Sequence, residues 1–360
     1  MRIGILGAGQ LGRMLAQAGE RLGHSFVFYD LTPGEATQGI GTTITGGFAE
    51  HEKLAVFAGQ CDVITYEFEN IPGDTARFLA TLAPVSPPPR ALEISQDRLR
   101  EKNFFTELGF ETPAFAPAST KEELYDACDR VGYPCVIKTR QLGYDGKGQA
   151  RASAKENVER IWSELGSTPL IVEAFVPFSR ELSIIGARDS GGSIVVYPLA
   201  HNIHVSGILH RTEMPAPSVP PETTARAHAI ITKILNALEY VGVLTIELFD
   251  LDGRLLINEL APRVHNSGHV SLDSITTSQF ENHIRAVSGM PLGSTAPLSK
   301  GVMYNIVGTF PSFDQVRKLP RTAVHLYGKS ERAGRKIGHI TLLDPTPEAE
   351  AVVTQALAER

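Results

Sequence analysis

The sequence predicts a mixed α/β and α+β chain in three units: a Rossmann-like parallel-sheet domain, a small central α+β unit and a strand-rich C-terminal domain. Three observations carry this. Short apolar strands alternate with helical stretches up to residue 97, the pattern of a parallel sheet covered on both faces. A glycine turn, Gly7-Ala8-Gly9-Gln10-Leu11-Gly12, joins the first strand to the first helix. From residue 181 onward hairpins replace the alternation. A length of 360 residues suits two or three compact units. The expected boundaries are 1–97, 98–177 and 178–360.

Residues 3–6 read as a buried strand, 10–22 as a helix closed near Gly23, and 25–29 and 62–66 as further strands. The prolines of 84–89 end this unit, because they continue neither a helix nor a central strand. Residues 96–108 form a helix stopped by Gly109. Thr120-Lys121-Glu122-Glu123 is a capping box opening a helix that stops near Gly132. A strand over 133–138 ends on Lys138, and a glycine loop, a helix over 155–165 and a strand over 170–173 follow. Strands over 181–188 and 193–200 flank the turn Asp189-Ser190-Gly191-Gly192. The proline-rich loop 215–221 leads to a helix ending near Gly242. Strands over 243–249 and 254–260 make a second hairpin, and 300–360 holds a few strands and a terminal helix.

Hydrophobic residues are 42% and charged ones 21%, with a net charge of −6. That balance gives no sign of a nucleic-acid or membrane partner. Cys61, Cys128 and Cys135 form no metal-like pair and no even disulfide set, so free thiols in a reducing compartment are expected. No leader peptide or membrane-length apolar run is apparent, and a cytoplasmic location is the expectation.

The glycine turn lets backbone approach a phosphate at a helix N-terminus, and Asp30 closes the next strand where dinucleotide folds place a ribose acid. The same turn also occurs in folds that hold a mononucleotide phosphate or nothing. Gln141-Leu142-Gly143-Tyr144-Asp145-Gly146-Lys147-Gly148-Gln149 describes a loop that can close over polyphosphate, or a hairpin with a solvated lysine; it is not a P-loop. Glu247 and Glu259, beside Asn258, interrupt apolar runs on neighbouring strands. Such carboxylates are costly unless paired or metal-bound, and two of them suit Mg2+; alternation on a half-exposed sheet is the plainer reading. Arg263 offers a planar donor fork for an oxyanion such as bicarbonate, with His265, Asn266 and Ser267 close behind. The basic stretch 329–336 suits a phosphomonoester or a solvated loop.

The order of these strings runs from GAGQLGRM through Arg98 and Lys102, VIK at Lys138, GYDGKGQ, VEAFVPFSREL, HNIHVSGIL, TIELF and INELAPRVHNSGH to YGK…GRKIGH. That order resembles the ATP-grasp enzymes, in particular the 5-(carboxyamino)imidazole ribonucleotide synthases of purine biosynthesis, over nearly the whole chain. The resemblance implies an ATP-grasp fold and a homodimer. It implies ATP contacted by Arg98, Lys138, Gly143, Tyr144, Asp145, Gly146, Lys147, Gly148, Gln149, Glu173, Ala174, Phe175, Val176, Glu181, His204, Asn258 and Glu259. Mg2+ would sit on Glu247 and Glu259. Arg263, His265 and Asn266 would hold bicarbonate, with Ser267 behind them and Lys147 beside the transferring phosphoryl group. Tyr144 and Asp145 would face the imidazole of aminoimidazole ribonucleotide, and Gln10, Leu11, Lys329, Arg335 and Glu67 its ribose phosphate. Many ATP-grasp carboxylases have Asn where Ala261 stands, which leaves any third metal ligand open.

Two rivals remain: a formate-using glycinamide ribonucleotide transformylase of the same fold, and a nicotinamide-dependent dehydrogenase resting on the glycine turn and Asp30. A cofactor-free binding protein would be expected to have lost Lys138, Glu247, Glu259 or Arg263.

Overall fold

The computed structural model describes residues 1–143 and 147–359. Its strands form three sheets. The first is built from β1 (Arg2–Leu6), α1 (Gln10–Glu20), β2 (Ser25–Asp30), β3 (Thr42–Thr45), α2 (His51–Ala58), β4 (Val63–Tyr66), α3 (Gly73–Ala80) and α4 (Pro89–Ser95). Its order is β3-β2-β1-β4 and every pairing is parallel. Both faces are covered, so β1 and β2 are near-continuous apolar runs: Ile3, Ile5, Leu6, Val27 and Phe28 are all buried. The edge strand β3 escapes sequence reading because three of its four residues are threonine. The proline run behaves differently from expectation. Ile64 N–H donates to Pro84 O at 2.8 Å and Ser86 N–H to Ile64 O at 2.9 Å, so it adds one rung to the sheet edge. Pro89 then opens α4, where its missing N–H is no loss.

The second sheet holds the lid. Helix α5 (Arg98–Glu107) begins on Asp97, which accepts from Leu99 N–H, and stops where Gly109 takes φ +77°. β5 (Phe115–Ala118), α6 (Lys121–Val131), β6 (Cys135–Thr139), β7 (Gln149–Ala152), α7 (Val158–Leu165) and β8 (Leu170–Ala174) follow, in the antiparallel order β5-β8-β6-β7. Thr120 Oγ1 accepts from Glu123 N–H as the capping box requires, while the Glu123 carboxylate takes the Ser119 N–H. β6 and β7, which flank the glycine stretch, pair antiparallel from Cys135–Ala152 to Lys138–Gln149.

The third sheet has nine strands. They are β9 (Arg180–Arg188), β10 (Ile194–Val196), β11 (Ala200–Val205), β12 (Ile208–Met214), β13 (Gly242–Leu251), β14 (Arg254–Ala261), β15 (Gly301–Val307), β16 (Thr322–Leu326) and β17 (Lys336–Leu343). The order is β14-β13-β9-β11-β12-β15-β17-β16, with β10 on β9. Helices α8 (Pro221–Ala237), α9 (Ser271–Ser274), α10 (Gln279–Val287) and α11 (Pro347–Ala358) pack on it, and α4 and α5 pack against β14. The single strand expected over 193–200 is instead two pieces. β10 ends at Val196, and β11 returns to pair with the other end of β9. His283 of α10 ties this body to the first sheet. Val243 N–H donates to its Nδ1 at 3.1 Å, leaving Nε2–H for Thr65 Oγ1 at 2.8 Å. Burial holds His283 down at about 3.

Cys128 and Cys135 are buried and Cys61 is half-buried, all as thiols. Among the described residues no helix is long and apolar enough to cross a membrane.

Candidate active site

Residues from all three sheets and their connections line a cavity of about 1430 Å³. Its floor is the β13–β14 hairpin, where Glu247 and Glu259 are direct cross-strand partners and therefore share a face. The register slips immediately afterwards, Leu248 pairing with Ile257. This bulge brings Asn258 onto the same rim, with Nδ2 3.4 Å from Glu247 Oε2. Helix α5 fixes the edge from behind. Glu101 accepts from Leu260 N–H at 2.7 Å, and Lys102 Nζ donates to Asn258 O at 2.5 Å. Burial and the charge of Glu259 push the Glu247 carboxyl up to about 7. Glu259 is held down, against its burial, by Arg98, whose Nη1 lies 3.0 Å from Oε2. Two facing carboxylates and a buried Asn258 Oδ1 with no partner form an oxygen donor set suited to a divalent cation.

Glu173 borders the cavity and, almost fully buried, is the common counter-ion of Lys138, at 2.9 Å, and Lys102, at 3.6 Å. Burial opposes its ionisation, but the two lysines bring it down to about 2. Lys138 Nζ donates to its Oε2. Ala174, Phe175 and Val176 line the cavity as β8 ends, with Phe178 stacked on Phe249 at 4.8 Å nearby. Glu181 Oε2 lies 2.8 Å from His204 Nδ1. Despite burial, Glu181 and then Glu247 raise the His204 imidazole. Gly143, Lys147 and Gln149 line the rim, and Gly143 O accepts from Arg98 Nη2 at 3.3 Å. Gly148 does not reach the cavity; at φ +69° it turns the hairpin and accepts from Thr139 N–H. Tyr144, Asp145 and Gly146 lie outside the described residues.

The Arg263 fork is occupied. Its Nε and Nη2 both donate to the carboxylate of Glu69, the latter at 2.9 Å, and Nη1 donates to Val264 O. Of its five donor hydrogens, one on each Nη is left to meet a ligand. Although partly desolvated, Glu69 is held down at about 2 by Arg263. His265 is kept neutral by burial and by Arg263. Its Nδ1 faces Ser267 Oγ at 2.8 Å and its Nε2 lies 3.3 Å from Glu247 Oε1, so it braces a candidate metal carboxylate. Asn266 spends its amide on Asn305, donating at 3.1 Å and accepting at 2.8 Å. Ser267 is fully buried, bonded to Ser183 Oγ at 2.8 Å, and does not reach the cavity. Asn266 keeps its place on the cavity wall, and Ser267 lies behind it.

At the far end the glycine turn holds a carboxylate of this chain. Gly9 N–H and Gly12 N–H both donate to Glu67, the second at 2.6 Å, and Ala8 N–H donates to Asp30 Oδ2 at 2.8 Å. The glycines are there for Glu67: a Cβ on Gly9 would stand 2.7 Å from its Oε1. Glu67 therefore faces the turn, and the N–H groups a dinucleotide would need are already used. Lys329 Nζ donates to Gln10 Oε1, and burial lowers its ammonium despite Glu67. Leu11 is buried under this corner, and Arg335 contacts Ser330 Oγ at 2.9 Å and Glu35 at 3.0 Å. Sequence reasoning missed Glu69, Glu35 and Asn305. Glu67-Phe68-Glu69-Asn70 follows β4 at the carboxyl edge of a parallel sheet, a signal that could have exposed Glu69.

Family models match the chain over residues 1–96 (ribonucleotide synthetase preATP-grasp domain), 103–280 (ATP-grasp domain) and 301–351 (phosphoribosylaminoimidazole carboxylase C-terminal domain). The N5-carboxyaminoimidazole ribonucleotide synthase of Pseudomonas aeruginosa is 44% identical over 342 residues, covering 95% of this chain and 94% of the relative. The crystal structure of the corresponding synthetase from Thermus thermophilus superposes with a TM-score of 0.93 at 45% identity, covering 99% and 98% of the two chains. That of the Aspergillus clavatus synthase in complex with ADP and 5-aminoimidazole ribonucleotide gives 0.91 at 26%, covering 100% and 99%. The chain belongs to the N5-carboxyaminoimidazole ribonucleotide synthases, within the ATP-grasp family.

Proposed function

We propose that this chain carboxylates the exocyclic amine of 5-aminoimidazole ribonucleotide, using bicarbonate and ATP and releasing ADP and phosphate. The observation that carries the reading is one continuous cavity with the Glu247–Glu259 pair, Arg98 and Lys138 at one end and Gln10, Lys329 and Arg335 at the other. Arg263 and His265 line it between them. A bicarbonate oxygen attacks the γ-phosphorus, the bond to ADP breaks, and carboxyphosphate forms. Loss of phosphate yields carbon dioxide, the amine nitrogen bonds to its carbon, and the amine gives up a proton.

Lys138, positioned by Glu173, meets nucleotide phosphate charge, and the remaining Arg263 hydrogens hold bicarbonate in line. Lys147, on the loop over the cavity, closes on the transferring group. Glu247 and Glu259 would hold Mg2+, which neutralises phosphoryl charge when bound. Enclosure matters because water destroys carboxyphosphate. The reading includes a homodimer and a cytoplasmic setting, the latter supported by three unpaired thiols. It also includes domains over 1–97, 98–177 and 178–360, supported by the grouping of the strands into three sheets.

The test is isotopic. Turnover of 18O-bicarbonate should deliver 18O into inorganic phosphate and the bicarbonate carbon into an acid-labile carboxyamino product. Phosphate without 18O would rule out attack by bicarbonate on ATP.

A further inference from the structure

We infer that the C-terminal strands carry a second cation site, for a transition metal such as zinc, built from Asp273, His325 and His339. Asp273 lies in α9, His325 on β16 and His339 on β17, and the two histidines are direct cross-strand partners. One ligand atom from each lies within 4.8 Å of the other two. None of the three lines the large cavity, so this site is separate from the glutamate pair.

The His339 environment is the second, independent observation. The residue is fully buried; its Nδ1 is 2.7 Å from the Tyr327 hydroxyl, while its Nε2 has neither donor nor acceptor. An orphaned buried ring nitrogen is unfavourable in either tautomer. A metal removes that cost. With Nδ1–H donated to Tyr327, Nε2 presents a lone pair, which is how outer-shell partners orient metal-binding imidazoles.

The other two groups complete the donor set. His325 Nε2 sits 3.0 and 3.2 Å from the two Asp273 oxygens. Its ring stacks on His339 with centroids 4.5 Å apart and 19° between planes. Binding tilts the rings out of that stack, because nitrogens sharing a tetrahedral zinc stand only about 3.3 Å apart. Two imidazoles and one carboxylate suit zinc, whereas the all-oxygen glutamate pair suits magnesium, so the sites select different ions. His325 is about one-third exposed (32%), which provides an entry path and a position for water. An occupied site would fasten α9 to β16 and β17 and steady Tyr327, which lines the cavity two residues before Lys329.

The test uses the full chain, stripped with chelator and held in excess magnesium. Zinc is titrated against a chromophoric competitor, and cobalt is followed by its visible absorption. The expected result is one equivalent bound with tetrahedral cobalt bands. Asp273→Asn and His325→Gln should weaken zinc by roughly 100-fold or more and lose the bands, while Glu247→Gln keeps both. Absence of zinc binding, or variants that bind like the parent chain, would overturn the site. If the variants do not fold, zinc-soaked crystals of the parent decide: anomalous density between the three side chains supports the inference, and its absence there refutes it.

Discussion

Glu247 and Glu259 stand directly opposite one another on β13 and β14, and a bulge beside them turns Asn258 to the same rim. Two carboxylates in that relation repel, and the strain falls on Glu247, the less exposed of the two, pushed up to about 7. Function and stability should therefore separate at this position. Glu247→Gln is expected to lower kcat by roughly 100-fold or more. It should raise the melting temperature of the metal-free protein at pH 8, where the parent carboxylate is charged. Magnesium-dependent ADP release and thermal melts check the two halves.

Glu173 makes the opposite prediction. It compensates two buried lysines, so Glu173→Gln leaves Lys102 and Lys138 without their common counter-charge. Removing one partner of a buried ion pair costs about 3–5 kcal/mol. The urea midpoint should fall accordingly, and KM for ATP should rise as Lys138 loses its orientation.

The glycine turn gives a binding prediction. Glu67 and Asp30 already take the N–H groups of Gly9, Gly12 and Ala8. Calorimetry should show no NAD binding to the parent chain. Gly9→Ala forces a methyl against the Glu67 carboxylate and displaces the Gln10–Lys329 corner. KM for aminoimidazole ribonucleotide should rise roughly tenfold or more while ATP affinity is kept.

That turn also shows where the sequence was legible. Glycine spacing announces that something approaches the backbone closely, but not whether it is a phosphate or a glutamate about 60 residues away. The hairpin carrying Glu247 and Glu259 could be read because two charges interrupt apolar strands across a short turn. The Arg263–Glu69 pair could not, because its partners come from different sheets with nothing in the local pattern to join them. Asn266 reaches the cavity wall as its place in the sequence suggests, with its amide on Asn305, whereas packing sends Ser267 into the core. Strands β3 and β11 were missed or merged for a local reason, being short, polar or broken.

His283 supplies the pH dependence. Its imidazole is held at about 3 in the folded chain, against an ordinary value of 6.5. The unfolded chain binds the extra proton between those values, so this contribution is complete above 6.5 and is lost as pH falls toward 3. Between pH 7 and pH 5 the expected loss from this one group is about 2 kcal/mol. Denaturant midpoints at the two pH values should differ less in His283→Gln than in the parent chain.

The most direct test of the account is ADP release from magnesium-ATP and bicarbonate, measured with and without aminoimidazole ribonucleotide. The account predicts roughly tenfold or greater stimulation by the nucleotide. Arg263→Ala should abolish that stimulation while ATP still binds. Equal rates with and without the nucleotide would contradict it, leaving an ATP-grasp enzyme that acts on another acceptor.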